Sequence, residues 1–184
     1  MTARPTDGPL IWNVSGLLAD VVGSDRQYPV QGVRIDLPDG LVLTAPIDGA
    51  VRLSRTNRGI LADADLTTSI EGACSRCLKD LSIPLALGIR EEYLPTIDLA
   101  SGKPVDLDDE PDALRLTDHH EVDLEPAVVE AIVLAEPIAP LCRPDCPGLC
   151  IVCGQPLEAG DHDHPVDDID PRLEALRGFQ ADDG

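Results

Sequence analysis

Aromatic side chains are nearly absent: Trp12, Tyr28, Tyr93 and Phe179 are the four in 184 residues. A core must therefore be assembled from Val, Leu, Ile and Ala. A surface that stacks successive bases on rings is excluded. Positive charge is scarce too, with 14 Lys/Arg against 34 Asp/Glu and a net charge of −20. The deficit is uneven. Residues 1–100 hold 9 basic and 13 acidic side chains, and residues 101–184 hold 5 and 21. A C-terminal half at −16 repels phosphate backbones, so strong direct binding of nucleic acid is not expected. The same charge would attract a basic partner, or would simply keep the chain soluble. Apolar runs long enough to span a bilayer are also missing, so no membrane association is expected. The start of the chain is polar and Pro-rich, without a basic n-region and apolar stretch. The expected compartment is the reducing cytoplasm, where cysteines are metal ligands more often than disulfides.

What remains is an ordinary globular balance, 43% hydrophobic and 26% charged. Residues 1–9 read as a disordered tail, residues 10–140 as a β-rich domain, and residues 141–184 as a Cys/His-rich segment with a short terminal helix. Gly32 to Leu37 alternates apolar and polar, as does the stretch around Val51 and Leu53. Pro38-Asp39-Gly40 is a turn, with Pro presetting φ and Gly accepting a positive φ. The clearest strand runs from Ile60 to Ile70. Ile60, Ala62, Ala64, Leu66, Thr68 and Ile70 share one face, and Asp63 and Asp65 the other. Continuing that parity brings Cys74 to the inner face. Leu81, Ile83, Leu85, Leu87 and Ile89 then alternate in turn, so Cys74-Ser75-Arg76-Cys77 reads as the turn of an antiparallel pair.

Residues 98–120, rich in Asp with Gly102, Pro104 and Pro111, read as an exposed acidic loop ending in two solvated histidines, His119 and His120. Asp123 is expected to cap a helix near residues 124–135, with Pro126 in its first turn and Val128, Val129, Ile132 and Val133 as its apolar face. Pro137 and Pro140 stop it. Asp170-Pro171 opens the last short helix. The expected fold is α+β: an antiparallel β-sheet that could curl into a barrel, one main helix, and a C-terminal zinc-binding segment.

The chemistry lies in three cysteine pairs: Cys74-x2-Cys77, Cys142-x3-Cys146 and Cys150-x2-Cys153. A Cys-x2-Cys turn lets both thiolates reach one ion about 2.3 Å away while backbone N–H groups soften their charge. Gly154 after Cys153 suits the tight turn such knuckles require. His162-x-His164 follows Cys153 after eight intervening residues, with Asp161 and Asp163 placed to orient the rings. Eight ligands make two tetrahedral zinc sets. Cys150, Cys153, His162 and His164 form a local one. Cys74, Cys77, Cys142 and Cys146 form a long-range one. Closed four-ligand sites leave no position for an activated water, which argues for structure rather than catalysis. The competing reading gives Cys74 and Cys77 a thiol redox or metal-responsive regulatory role. It lacks the helix N-terminus that would depress a thiol pKa. Direct RNA binding would require Arg52, Arg55 and Arg58 to converge with Arg76.

The run Pro140-Leu141-Cys142-Arg143-Pro144-Asp145-Cys146-Pro147-Gly148-Leu149-Cys150, then Cys153-Gly154, with Cys74-Ser75-Arg76-Cys77-Leu78 upstream, resembles the bacterial YceD family. The ending His162-Asp163-His164 with Ile169-Asp170-Pro171-Arg172 resembles it too, in the Cys-rich form of its actinobacterial members. The resemblance implies a role in accumulation of large-subunit ribosomal RNA, hence ribosome assembly, and gene neighbourhood with a large-subunit ribosomal protein. No catalytic residues come with it. The expected partner is a basic large-subunit ribosomal protein or a pre-ribosomal particle, bound by a non-enzymatic, acidic escort.

Overall fold

A computed structural model describes residues 9–98, 101–105, 111–160 and 172. Its elements in chain order are β1 (Ile11–Asn13), α1 (Ser15–Ala19), β2 (Asp25–Val33), β3 (Leu43–Arg55), β4 (Ile60–Ala73), β5 (Asp80–Leu94), β6 (Leu114–Arg115), β7 (Glu121–Asp123), α2 (Glu125–Ala135) and a 3-10 turn (Leu157–Ala159). Strands β2-β3-β4-β5-β6 form one sheet in that order, antiparallel except where β6 runs parallel to β5, and β1 pairs with β7. The sheet does not close. Its two ends, β2 and β6, are not paired with each other, so the expected curling into a barrel is not realised. β6, with two residues, is too short to continue the ladder around.

The alternation in β4 works as the pleat requires. Ile60, Ala62, Ala64, Leu66, Thr68 and Ile70 are buried, whereas Asp63 and Asp65 are exposed. β4 and β5 pair without interruption from Ile60↔Tyr93 to Ala73↔Asp80. Leu85, Leu87 and Ile89 lie on the same buried side. The segment from Gly32 to Leu37 keeps its alternating burial but pairs as strand only as far as Val33. The turn after it places Pro38 first, with Asp39 (φ 56°) and Gly40 (φ 78°) both at positive φ and Leu41 N–H donating to Pro38 O at 3.1 Å.

α2 covers one side of this core. Its buried stripe is Leu124, Val128 and Ile132, flanked by Ala127, Ala131 and Ala135, while Val133 is exposed, unlike the face read from the sequence. The spacing of four from Leu124 selects the stripe, and Val133 falls a residue beyond it. The Asp123 carboxylate does accept an N–H at the helix start, from Glu125 at 3.0 Å, although Asp123 itself belongs to β7. Glu136 turns extended (ψ 122°) because Pro137 disfavours a helical residue before it.

Residues 98–120 are not wholly an exposed loop. β6 pairs with Tyr93 and Leu94, and Leu116 is buried against the core. Leu116 draws this stretch onto the core, while Leu114 stays exposed. The expected helix at Asp170-Pro171 lies outside the described residues, except for Arg172. No helix among the described residues is long and apolar enough to cross a membrane.

Candidate metal centre

Inward parity along β4 carries to Cys74, which is wholly buried at the end of the sheet. Between the last pair, Ala73↔Asp80, the chain wraps into a tight loop. Cys74 N–H donates to Lys79 O (2.8 Å), and Leu78 N–H donates to Cys74 O (2.9 Å). The wrap drives Leu78 to φ 59°, a left-handed conformation that costs a branched residue about 1 kcal/mol and is held here by its surroundings.

The chain leaving α2 is stitched onto this loop. Ser75 N–H donates to Pro140 O (2.8 Å), and the Arg76 guanidinium donates to Cys146 O (2.9 Å). Cys146 closes its own turn by donating to Arg143 O (3.1 Å). Gly148, at φ 84°, lies so near that a Cβ would stand 3.2 Å from Arg76 O, so a larger residue would press the two segments apart. No spacing rule points to Arg76 as a brace, since its partner is a backbone carbonyl seventy positions away.

These contacts bring four sulfurs together. Those of Cys74, Cys77, Cys142 and Cys146 all lie within 4.8 Å of one another. Cys74 Sγ is 3.8 Å from Cys146 Sγ, and Cys77 Sγ is 3.7 Å from Cys142 Sγ. A tetrahedral ion with sulfur ligands at about 2.3 Å has sulfur–sulfur edges of about 3.8 Å. A disulfide needs about 2.05 Å, so these pairs are not bonded to each other. Cys74 and Cys146 are buried and the other two half-buried. The donor set therefore fits a closed, soft-ligand metal site, and zinc suits four thiolates in this geometry.

Protonation follows from crowding four thiols. The Cys74 thiol is lowered to about 6, chiefly because the Cys77 backbone N–H, then that of Cys142, donates toward its sulfur, against the opposing effect of burial. Cys142 is pushed up to about 12, first by its hydrogen bond with Cys146 and then by burial. Burial raises Cys146 as well. One thiolate is thus favoured while Cys142 and Cys146 hold their protons. Metal capture must release those protons, so affinity rises with pH.

The second Cys-x2-Cys repeats the first loop bond for bond. Cys150 N–H donates to Gln155 O (2.8 Å), and Gly154 N–H donates to Cys150 O (2.8 Å). Gly154 has φ 71°, and Leu149↔Pro156 pair as Ala73↔Asp80 do. Val152 N–H also points at Cys150 Sγ (3.4 Å). Cys150 is buried and Cys153 exposed, and neither joins the four-sulfur cluster. An ion pair of Arg143 with Glu158, beside Arg143–Asp145 at 3.2 Å, ties the following turn back to the first segment. His162 and His164, with Asp161 and Asp163, lie outside the described residues.

His119 and His120 take part in no metal cluster among the described residues. Their backbone carbonyls accept from Asn13 Nδ2 and Val14 N–H (both 2.8 Å), which docks β1. His120 is only partly exposed, and its Nδ1 is buried without a hydrogen-bond partner among the described residues, so it is not the freely solvated loop histidine expected. The arginines do not converge. Arg55 donates to Leu18 O and Gly59 O at the Ile60 end of β4, whereas Arg76 lies beyond Ala73. The strand between them is about 45 Å long at its usual rise per residue.

The model of the family described as "Large ribosomal RNA subunit accumulation protein YceD" matches residues 62–180, a span containing all six cysteines. Relatives include uncharacterised proteins of Mycobacterium bovis and Mycobacterium tuberculosis, each 33% identical over 86% of this chain and 71% of the relative. A Mycobacterium leprae protein, also uncharacterised, is 29% identical over 76% of this chain and 61% of its own length. No solved structure gives a significant match.

Proposed function

Because this chain belongs to the YceD family, we propose that it is a cytoplasmic, non-enzymatic ribosome assembly factor that promotes accumulation of large-subunit ribosomal RNA through protein contacts. Family membership over residues 62–180 carries the reading. Zinc held by Cys74, Cys77, Cys142 and Cys146 serves as a staple, joining the β4–β5 turn to the segment after α2. A second zinc on Cys150, Cys153, His162 and His164 would order the rest of that segment. The partner is a basic large-subunit ribosomal protein, or an assembling particle that displays one. A net charge of −20 attracts such a protein without competing well for RNA. The thiol redox alternative is disfavoured by the complete burial of Cys74 and by sulfurs spaced for a shared ion.

The test is a pull-down of purified large-subunit proteins at low and high salt, beside filter binding to large-subunit RNA. Capture of a basic ribosomal protein is expected, weakening with salt because exposed charges are screened beyond about 8 Å at physiological ionic strength. Converting Asp106, Asp108, Asp109 and Glu110 (outside the described residues) to amides should slow association more than it speeds dissociation. Tight RNA binding with no protein partner would overturn the escort reading. Loss of function in Cys74→Ser with fold and metal intact would favour thiol chemistry.

A further inference from the structure

Among the described residues, the far edge of β5 is largely open, and only β6 pairs with it, at Tyr93 and Leu94. The hydrogen-bond pattern shows which groups face outward. Glu71 N–H donates to Val42 O, away from β5, so its opposite number Ser82 likewise faces away from β4. Pro84, in the same alternating set, has no N–H to give. At the other end Leu94 O, again in this set, accepts from Leu116 N–H at 2.9 Å. Ala86, Gly88 and Arg90 therefore turn their backbone N–H and C=O groups outward, toward the open edge.

That edge is one wall of a groove of about 370 Å³ whose other wall is α2. Ala127 and Ala131 leave room along the helix, and Leu134, 77% exposed, supplies an apolar wall. Natural edge strands are blunted by proline, charge or short length. Here Pro84 and Arg90 bound the stretch and leave Ala86 and Gly88 between them unguarded. Row upon row of outward backbone groups can be satisfied by a chain in only one conformation, the extended one. Glu91 and Glu130 line the same groove with Arg90 as its one basic residue, so the groove is net acidic and the complementary chain is basic.

We propose that the β5 edge and α2 form a docking groove in which an extended, Lys/Arg-bearing segment of the partner protein adds as a sixth strand beside Ala86–Arg90. The identity of that partner rests on the ribosomal reading above; the groove and the chemistry of its occupant do not. Small side chains of the groove accept the apolar residues of the incoming strand, and the backbone edge supplies the pairing.

The probe is a blocked seven-residue peptide of alternating Lys and Val, added to the isotope-labelled full chain at low salt and followed by amide resonances and exchange. The peptide should protect the amides of Gly88 and Arg90. The same peptide with every backbone nitrogen methylated should bind at least about tenfold more weakly, the loss expected from one or two hydrogen bonds. Ala86→Pro removes a donor that β4 does not use, and Ala131→Trp fills the groove from the helix. Both should weaken binding about tenfold, and Ala86→Pro, on the open edge, should melt like wild type. Equal affinity for the methylated peptide, shifts confined to other surfaces, or no binding at millimolar peptide would overturn the proposal. Amides already protected in the free protein would overturn it too, pointing to another part of this chain if independent of concentration and to a second copy if not. Peptide binding with a failed ribosomal pull-down would remove only the ribosomal reading. A successful pull-down unaffected by Ala86→Pro and Ala131→Trp would remove only the groove.

Discussion

The loops at residues 74–79 and 150–155 share a backbone but not a foundation. Both close with the same pair of hydrogen bonds, and both need a left-handed residue after the second cysteine. The first caps the longest hairpin of the sheet, fourteen paired residues deep. Among the described residues the second stands on a single bridge, Leu149↔Pro156, with Ile151 98% and Val152 62% exposed at its tip. The same local motif therefore has different consequences. The sheet holds the first loop in shape before any ion arrives, and a metal there fastens a distant segment. A metal at the second loop would order only the segment that follows it.

The largest effect should separate the two loops. Cys77 and Cys142 are 65 positions apart, so an ion shared by them closes a long loop and restricts the unfolded chain. Cys74→Ser should lower the melting temperature of the zinc-loaded protein by about 10 °C, judged from cross-links of similar span. Cys153→Ser should lower it by about 3 °C or less, because that loop opens locally without the sheet. Scanning calorimetry with and without chelator checks both. Equal losses, or none on chelation, would erase the distinction between the loops.

A smaller effect should run in opposite directions. Position five of the motif is Leu78 in one loop and Gly154 in the other, both at positive φ. Leu78→Gly should be neutral or stabilise by about 1 kcal/mol, since it relieves a left-handed leucine whose side chain is 65% exposed. Gly154→Ala should destabilise its own loop by about 1 kcal/mol. Denaturant melts and zinc competition read these out. A clearly destabilising Leu78→Gly would show that the leucine side chain has a role its exposure conceals.

What the sequence made legible follows the range of the interactions. Period-two alternation placed Cys74 inside and set the turn between Ile60–Ile70 and Leu81–Ile89, because both rest on neighbours in sequence. The grouping of Cys74, Cys77, Cys142 and Cys146 could be read from spacing and ligand count, although nothing local joins positions 77 and 142. Strands β6 and β7 escaped notice. Each is two or three residues long and is defined by its distant partner, such as Trp12↔Val122. Leu116 was lost inside an acidic stretch for the same reason. The barrel failed because alternation fixes the faces of a sheet and says nothing about whether its edges meet. Arg76 joined the site through a backbone carbonyl, which any residue at position 146 would have supplied.

The central claim, that one ion holds the β4–β5 turn to the segment after α2, is open to a direct measurement. Zinc-edge X-ray absorption on the full chain carrying Cys150→Ser and Cys153→Ser isolates the long-range set. The account predicts one zinc per chain with four sulfur neighbours at about 2.3 Å. A chain that binds no zinc when folded, or a zinc with fewer than four sulfurs, would contradict it.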